Sequence, residues 1–318
     1  MKRVSSIVAV TAVSAIVLAC GGSSSNVSDG PVTDQTLEAI ASSFCDRIAT
    51  CYGDTFVKAF LGDSTSCKSR LQVELKAGAR GNGVQIADSQ AVTCKASVDA
   101  AACNTLLNDG VAQCDFRGAL ADGAACASDS QCASGACFVD AKTDCGKCGQ
   151  RAAEGADCTS AKCVRGLTCT SANKCAKPVP DGGSCADDKP CEVSLACISG
   201  KCGKGLAKDA MCTLKTGTPC DNFTGLYCKP PSITSTTGTC TPFTFVTAGQ
   251  ACGVTVQPAI DYSFCANSQC IGASGTTKGT CEAYLADGAA CDSTKPACQF
   301  PAKCRNGKCA TLDPSVCK

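Results

Sequence analysis

The heptapeptide Leu120–Cys126, LADGAAC, returns unchanged at Leu285–Cys291. Its common element is a turn, often Asp-Gly, just before a cysteine; glycine accepts positive φ there, and aspartate can bond to its own backbone. Repeats of this phrase, 27 to 40 residues apart, predict a series of similar units. Altered copies are AEGADC ending at Cys158, PDGGSC at Cys185, LAKDAMC at Cys212 and VTAGQAC at Cys252.

Each of the last five phrases opens a unit of four cysteines. Several units end in a short polar segment before Lys-Cys, and RNGKC contains Asn-Gly, a strong hairpin signal. A chain that turns back in a hairpin favours interleaved bridges, first cysteine to third and second to fourth. The expected pairs are Cys158–Cys169, Cys163–Cys175, Cys185–Cys197, Cys191–Cys202, Cys212–Cys228, Cys220–Cys240, Cys252–Cys270, Cys265–Cys281, Cys291–Cys304 and Cys298–Cys309.

The first unit differs, because it has five cysteines: Cys126, Cys132, Cys137, Cys145 and Cys148. The tail carries one more, Cys317. Either a bridge joins the first unit to the tail, or a cysteine of the first unit pairs with a neighbouring unit. Cys145 and Cys148 form a C-x2-C pair, which without a βαβ pattern favours a structural role over a redox one.

The composition indicates a fold stabilised by disulfides. The 318 residues include 33 cysteines, a proportion typical of disulfide scaffolds. Only 26 of the 201 residues from Gly118 to Lys318 are Leu, Ile, Val or Phe, too few for burial to offset the cost of ordering the chain. Cross-links must therefore supply stability by restricting the unfolded chain.

The segment 33–117 has a different pattern and predicts helices. Leu37, Ile40, Phe44, Ile48 and Cys51 recur at spacings of three and four, as on one face of an amphipathic helix. A second helix is expected from Ser64, and a third from Ser89 into the NTLLND segment. Six cysteines lie here, allowing fifteen connectivities: Cys45, Cys51, Cys67, Cys94, Cys103 and Cys114.

The N-terminus predicts export. Two basic residues precede sixteen uncharged ones, a length suited to a signal peptide and short for a membrane span. Val17-Leu18-Ala19-Cys20 resembles the bacterial lipobox, which implies removal of 1–19, lipidation of Cys20 and anchoring in a membrane. Residues 20–32 then form a flexible tether, and Gly21 after the anchor implies the outer membrane. Setting Cys20 aside leaves an even 32 cysteines, as disulfides require.

Two resemblances follow from the cysteine spacing. The first unit, C-x5-C-x4-C-x7-C-x2-C-x9-C from Cys126 to Cys158, resembles cysteine-rich modules of the Dickkopf N-terminal and EB types. With the lipobox and the helical six-cysteine segment, the chain looks like the cysteine-rich lipoproteins of myxobacteria and their relatives. The resemblance implies a small disulfide-rich extracellular fold. The expected architecture is a helical disulfide-stapled domain, 33–117, followed by an elongated array of six β-hairpin and loop cysteine modules, 118–318.

Several kinds of chemistry are disfavoured. The chain has no histidine, which removes Ser-His and Cys-His pairs and histidine zinc sites, and no catalytic residue or cofactor is predicted. A net charge of +1 argues against a nucleic-acid partner. Aromatic residues gather in one region and form either a contact patch or a local mini-core between two modules: Phe243, Phe245, Tyr262 and Phe264.

The expected function is therefore non-catalytic binding, adhesion or spacing at the bacterial cell envelope, with a protein or glycan as ligand. A protease inhibitor is the first alternative, because stapled loops lower the entropic cost of binding. A metal-thiolate store is the second. Free-thiol titration of the denatured protein separates the disulfide interpretations from the store.

Overall fold

A computed structural model describes residues 30–60, 62–140, 144–185, 189–214, 219–232, 234–255, 261–274, 277–292 and 294–317. The predicted signal peptide, Cys20 and most of the predicted tether lie outside these residues. The described chain forms two compact units. The first contains 30–48, Lys68–Pro178 and 311–317, and the second contains 49–67 and Val179–Ala310.

The helical part begins with α1 (Asp34–Phe60), interrupted at Gly53, where φ is 79°. Two further helices follow, α2 (Ser64–Ala79) and α3 (Asp88–Ala100). The predicted third helix is shorter than expected, because Ala101 turns to extended backbone, and Thr105–Asp109 forms a separate turn of π-helix. The apolar faces of these helices are buried, with less than a tenth of each side chain exposed: Leu37, Ile40, Phe44, Ile48, Leu71, Leu75 and Val98.

Short strands make up the rest of the fold, as expected for a small disulfide-rich protein. The first of the two compact units contains a three-stranded sheet of order β1-β3-β2 and the hairpin β4-β5. The second contains the hairpins β6-β7 and β16-β17, a three-stranded sheet β8-β10-β9, and a five-stranded sheet β11-β13-β12-β15-β14. The bounds are β1 Ala125–Cys126, β2 Cys137–Val139, β3 Gly146–Cys148, β4 Thr168–Cys169, β5 Cys175–Ala176, β6 Ala196–Ile198, β7 Lys201–Gly203, β8 Met211–Thr213, β9 Leu226–Lys229, β10 Thr237–Pro242, β11 Thr244–Val246, β12 Ala251–Thr255, β13 Asp261–Cys265, β14 Ser268–Ile271, β15 Gly279–Ala283, β16 Lys303–Arg305 and β17 Lys308–Ala310.

The repeated phrase builds the same module six times. The residue six positions before the first cysteine lies in a parallel bridge with the second cysteine in every module, as Leu120 does with Cys132. Where this residue is leucine, it packs against the module's cysteines. We define modules 1 to 6 from this residue to the fourth regular cysteine: 120–148, 152–175, 179–202, 206–240, 246–281 and 285–309.

The turn of the phrase closes each module with two backbone hydrogen bonds, which we name the clasp. In module 3, Gly182 donates its N–H to the carbonyl of Cys202 at 2.7 Å, and Cys202 donates its own N–H to the carbonyl of Gly183 at 2.8 Å. Equivalent bonds occur in all six modules. The clasp explains why a turn stands three residues before the first cysteine. The donors to the last cysteine are Gly123, Gly155, Gly182, Asp209, Gly249 and Gly288.

The residue that donates its N–H to the last cysteine has a left-handed backbone in every module, with φ of 77° at Gly182 and 67° at Asp209. We expect Gly182→Ala to lower the free energy of unfolding of module 3 by about 1 kcal/mol, because an L-residue is strained there. A Cβ at Gly182 meets nothing within 4 Å, so the effect is conformational. Amide exchange at Cys202 measures it. Gly30→Ala is the control, since Gly30 has equal space and no left-handed φ; equal effects at both positions would refute the explanation.

Candidate functional site

The sulfur atoms form the centre of each module. The 32 cysteines from Cys45 to Cys317 are all disulfide-bonded, in sixteen bridges. Modules 2 to 6 have the interleaved pattern that hairpin geometry favours. The pairs are Cys158–Cys169, Cys163–Cys175, Cys185–Cys197, Cys191–Cys202, Cys212–Cys228, Cys220–Cys240, Cys252–Cys270, Cys265–Cys281, Cys291–Cys304 and Cys298–Cys309.

Module 1 follows the same rule once Cys145 is set aside. Its bridges are Cys126–Cys137 and Cys132–Cys148. Cys145 bonds to Cys317, 172 residues away, so of the two alternatives the bridge to the tail is present. The two cysteines of the C-x2-C pair therefore belong to different bridges. In the helical part, Cys94 bonds to Cys114.

Aromatic residues of module 4, module 5 and the linker 241–245 form a cluster, which we name the aromatic row: Tyr227, Phe243, Phe245, Tyr262 and Phe264. Because β11 pairs with β13 in parallel and Phe245 is opposite Phe264, these two rings lie on the same face of the sheet. Tyr262 shares that face, being two residues before Phe264 on β13. Tyr227 comes from β9 of module 4, so the row joins the two modules.

The rings of the row are in direct contact. Phe243 and Phe264 meet edge to face, with ring centroids 4.5 Å apart, and Tyr227 and Tyr262 do the same at 4.8 Å. Tyr227 also stacks on Phe243 with centroids 5.4 Å apart and an interplanar angle of 7°. Such arrangements add stability beyond area burial. The inner part of the row therefore acts as a mini-core.

Exposure divides the row into an inner and an outer part. Tyr227 is buried, whereas Phe243, Phe245 and Tyr262 are half-buried. Phe264 is the outermost, with 40% of its surface exposed. Tyr227 was not predicted from the sequence, because it is sixteen residues from Phe243 and approaches it only when β9 pairs with β10. One feature of the sequence could have indicated Tyr227 as a member of the row, since it directly precedes the third cysteine of module 4.

A polar pair borders the row. Tyr227 donates its hydroxyl to Oδ1 of Asp261 at 2.8 Å, and Lys229 Nζ lies 3.3 Å from the same oxygen. These contacts lower the pKa of Asp261, chiefly through the hydrogen bond from Tyr227. Burial, followed by the interaction with Asp261, raises the pKa of the Tyr227 hydroxyl. The lowered pKa keeps the Asp261 carboxylate anionic at neutral pH, and this carboxylate lies at the edge of the row, partly exposed and paired with Lys229.

A buried carboxylate connects modules 1 and 2. Asp129, with 7% of its side chain exposed, lies 3.0 Å from Arg151 Nη2 and 2.7 Å from Lys162 Nζ. It also accepts the Cys137 N–H at 2.8 Å, while Arg151 donates to the carbonyl of Gly135. Every contact is between a charged group and a complementary partner, which is how buried charges are tolerated. This cluster has a structural role, since its carboxylate is fully engaged.

No protein-family model, curated protein or solved structure matches the chain. The disulfides themselves indicate a non-cytoplasmic protein, since such bonds persist in oxidising compartments. Among the described residues, none of the helices combines the length and apolar character needed to cross a bilayer.

Proposed function

We propose that the protein is a non-catalytic binding protein of the bacterial outer membrane, lipid-anchored through Cys20, with the aromatic row as its contact surface. The observation that carries the binding role is the outer part of the row. Phe264 exposes a large apolar ring in a row whose Tyr227 hydroxyl is bonded to the partly exposed Asp261 carboxylate, on a scaffold cross-linked on both sides. Such a surface combines apolar contact with hydrogen-bonding groups, the usual composition of a recognition site.

The scaffold supports this proposal energetically. Cys265 directly follows Phe264 and bonds to Cys281, and Cys252 bonds to Cys270. These bridges restrict β13 before any ligand arrives. A rigid surface loses less conformational entropy on binding than a mobile one. The ligand class consistent with export is a protein or glycan at the cell surface.

Cys20→Ser tests the anchor. We expect the unmodified protein in the outer-membrane fraction and the variant in the soluble envelope fraction, because lipidation needs the thiol. Mass spectrometry of the N-terminal peptide should show acyl chains only on the parent protein. A variant that sediments with the membrane to the same extent would refute lipid anchoring at Cys20.

Phe264→Ser tests the binding role. Labelled soluble Cys20→Ser protein is applied to cells that lack the gene, and saturable binding is measured. We expect Phe264→Ser to weaken binding at least tenfold, as expected for an aromatic anchor worth more than about 1.4 kcal/mol. Prior treatment of the cells with protease or periodate distinguishes a protein from a glycan ligand.

Tyr284→Ser is the matched control, since Tyr284 is 37% exposed and lies outside the row. It should bind as the parent does. If both variants bind equally well, or lose binding equally, the row is not the contact surface.

A further inference from the structure

Each module brings two disulfides close together in its interior. In module 3, the Sγ atoms of Cys185, Cys191 and Cys202 all lie within 4.8 Å of one another. The fourth sulfur, that of Cys197, is bonded to Cys185 at 2.01 Å, and Cys191 is bonded to Cys202 at 1.97 Å. Three sulfur atoms therefore form one close group, and the fourth is covalently bonded to a member of it.

We propose that module 3, once reduced by a dithiol, is a four-thiolate site for a soft divalent cation of the zinc group. Zinc in structural sites is bound tetrahedrally by four cysteines with Zn–S of about 2.3 Å, which places the sulfurs about 3.8 Å apart. The bonded sulfurs must move apart from about 2 Å, whereas the Sγ atoms of Cys185, Cys191 and Cys202 already lie within 4.8 Å of one another.

The chain around these sulfurs suits such a site. Cys197 and Cys202 are separated by four residues, within the spacing of cysteine pairs in zinc sites. They lie opposite each other in the β6-β7 hairpin, whose turn residues Ser199 and Gly200 have positive φ. This turn chemistry does not depend on sulfur oxidation. Because this turn preference is local, it favours placing both thiols on the same side of the chain when the cation refolds the reduced module.

The reaction balances with a dithiol as reductant. Two protein disulfides oxidise two dithiol molecules to their cyclic disulfides, and each protein bridge becomes two thiols by exchange. Binding of one cation then releases four protons as the thiols become thiolates. The proposal is independent of the binding function proposed above, because it concerns the reduced module.

Folding is coupled to the metal in this proposal. Among the described residues of module 3, only Cys185 and Cys202 are buried. The reduced module has no apolar core to stabilise it. Its folding free energy must therefore come from binding of the cation, as in small zinc domains. Amide protection lost on reduction should return when the cation is added.

The test uses the chain with Cys20→Ser, reduced with dithiothreitol and desalted without oxygen. Cd²⁺ is titrated while thiolate charge-transfer absorption is recorded, and tightly held ions are counted after challenge with a chelator. Cys185→Ser combined with Cys197→Ser should lose one retained ion per chain and the Cd²⁺-dependent protection of Cys202. Cys145→Ser combined with Cys317→Ser removes the same number of thiols outside any module's four-sulfur group.

This second double variant should retain as many ions as the parent. Equal losses in the two double variants would show unselective thiolate binding and overturn the proposal. It would equally be overturned if the module 3 variant lost no ion, or if Cd²⁺ restored no protection in module 3.

Discussion

We expect that replacing the four cysteines of module 3 by serine unfolds that module while its neighbours stay folded. The bridges Cys185–Cys197 and Cys191–Cys202 close loops of 12 and 11 residues, each worth about 3 kcal/mol by restriction of the unfolded chain. No apolar side chain of the module is buried among its described residues. No apolar burial therefore compensates for the loss of about 6 kcal/mol in the free energy of unfolding. Amide protection at Ala196–Gly203 should disappear.

Hydrogen exchange followed by mass spectrometry measures this effect module by module. Peptides from modules 2 and 4, its neighbours along the chain, serve as internal controls, since their bridges are intact. Protection in module 3 within tenfold of the parent would show that something other than its disulfides maintains the fold.

Asp129→Ala should be the most damaging change that leaves every cysteine in place. It removes the acceptor for the Cys137 N–H and leaves Arg151 and Lys162 without their carboxylate. Breaking a buried ion pair costs about 3–5 kcal/mol, and we expect about 3 kcal/mol here because Lys162 is 44% exposed and can turn to water. The expected result is faster amide exchange throughout modules 1 and 2.

Asp99→Ala is the control for charge removal in the same unit. Asp99 pairs with Lys95 at 2.7 Å on α3, but about half of each side chain is exposed. Exposed pairs of this kind contribute less than about 0.5 kcal/mol. An Asp129→Ala effect no larger than that of Asp99→Ala would show that the buried cluster does not stabilise the junction of modules 1 and 2.

Much of the module fold could be predicted because its determinants are local. The turn before the first cysteine, the Asn306-Gly307 hairpin and the four-cysteine spacing lie within about 35 residues of one another. Both Asn306 and Gly307 have positive φ, as the hairpin signal requires. The three-and-four spacing of Leu37, Ile40 and Phe44 likewise predicted a buried helical face.

The features that the sequence left open depend on contacts between distant residues. Two pairings of the odd cysteine in module 1 fitted the count equally, and only the folded position of the tail selects the bridge from Cys145 to Cys317. In the sequence, nothing distinguishes Asp129 from other acidic loop residues. Its buried position and its contacts with Arg151 and Lys162 arise only in the folded chain. Tyr227 joins the aromatic row through strand pairing that no local pattern encodes, so the sequence indicated only the other four members.

The central claim is that disulfides, not apolar packing, hold the six modules folded. The most direct measurement is amide exchange of the fully reduced and alkylated chain beside the oxidised chain, in buffer free of metal. We predict that the clasp amides of Cys148, Cys202 and Cys309, protected in the oxidised chain, exchange as fast as in an unfolded peptide after reduction. Clasp amides that stay protected in the reduced, alkylated chain would contradict the account.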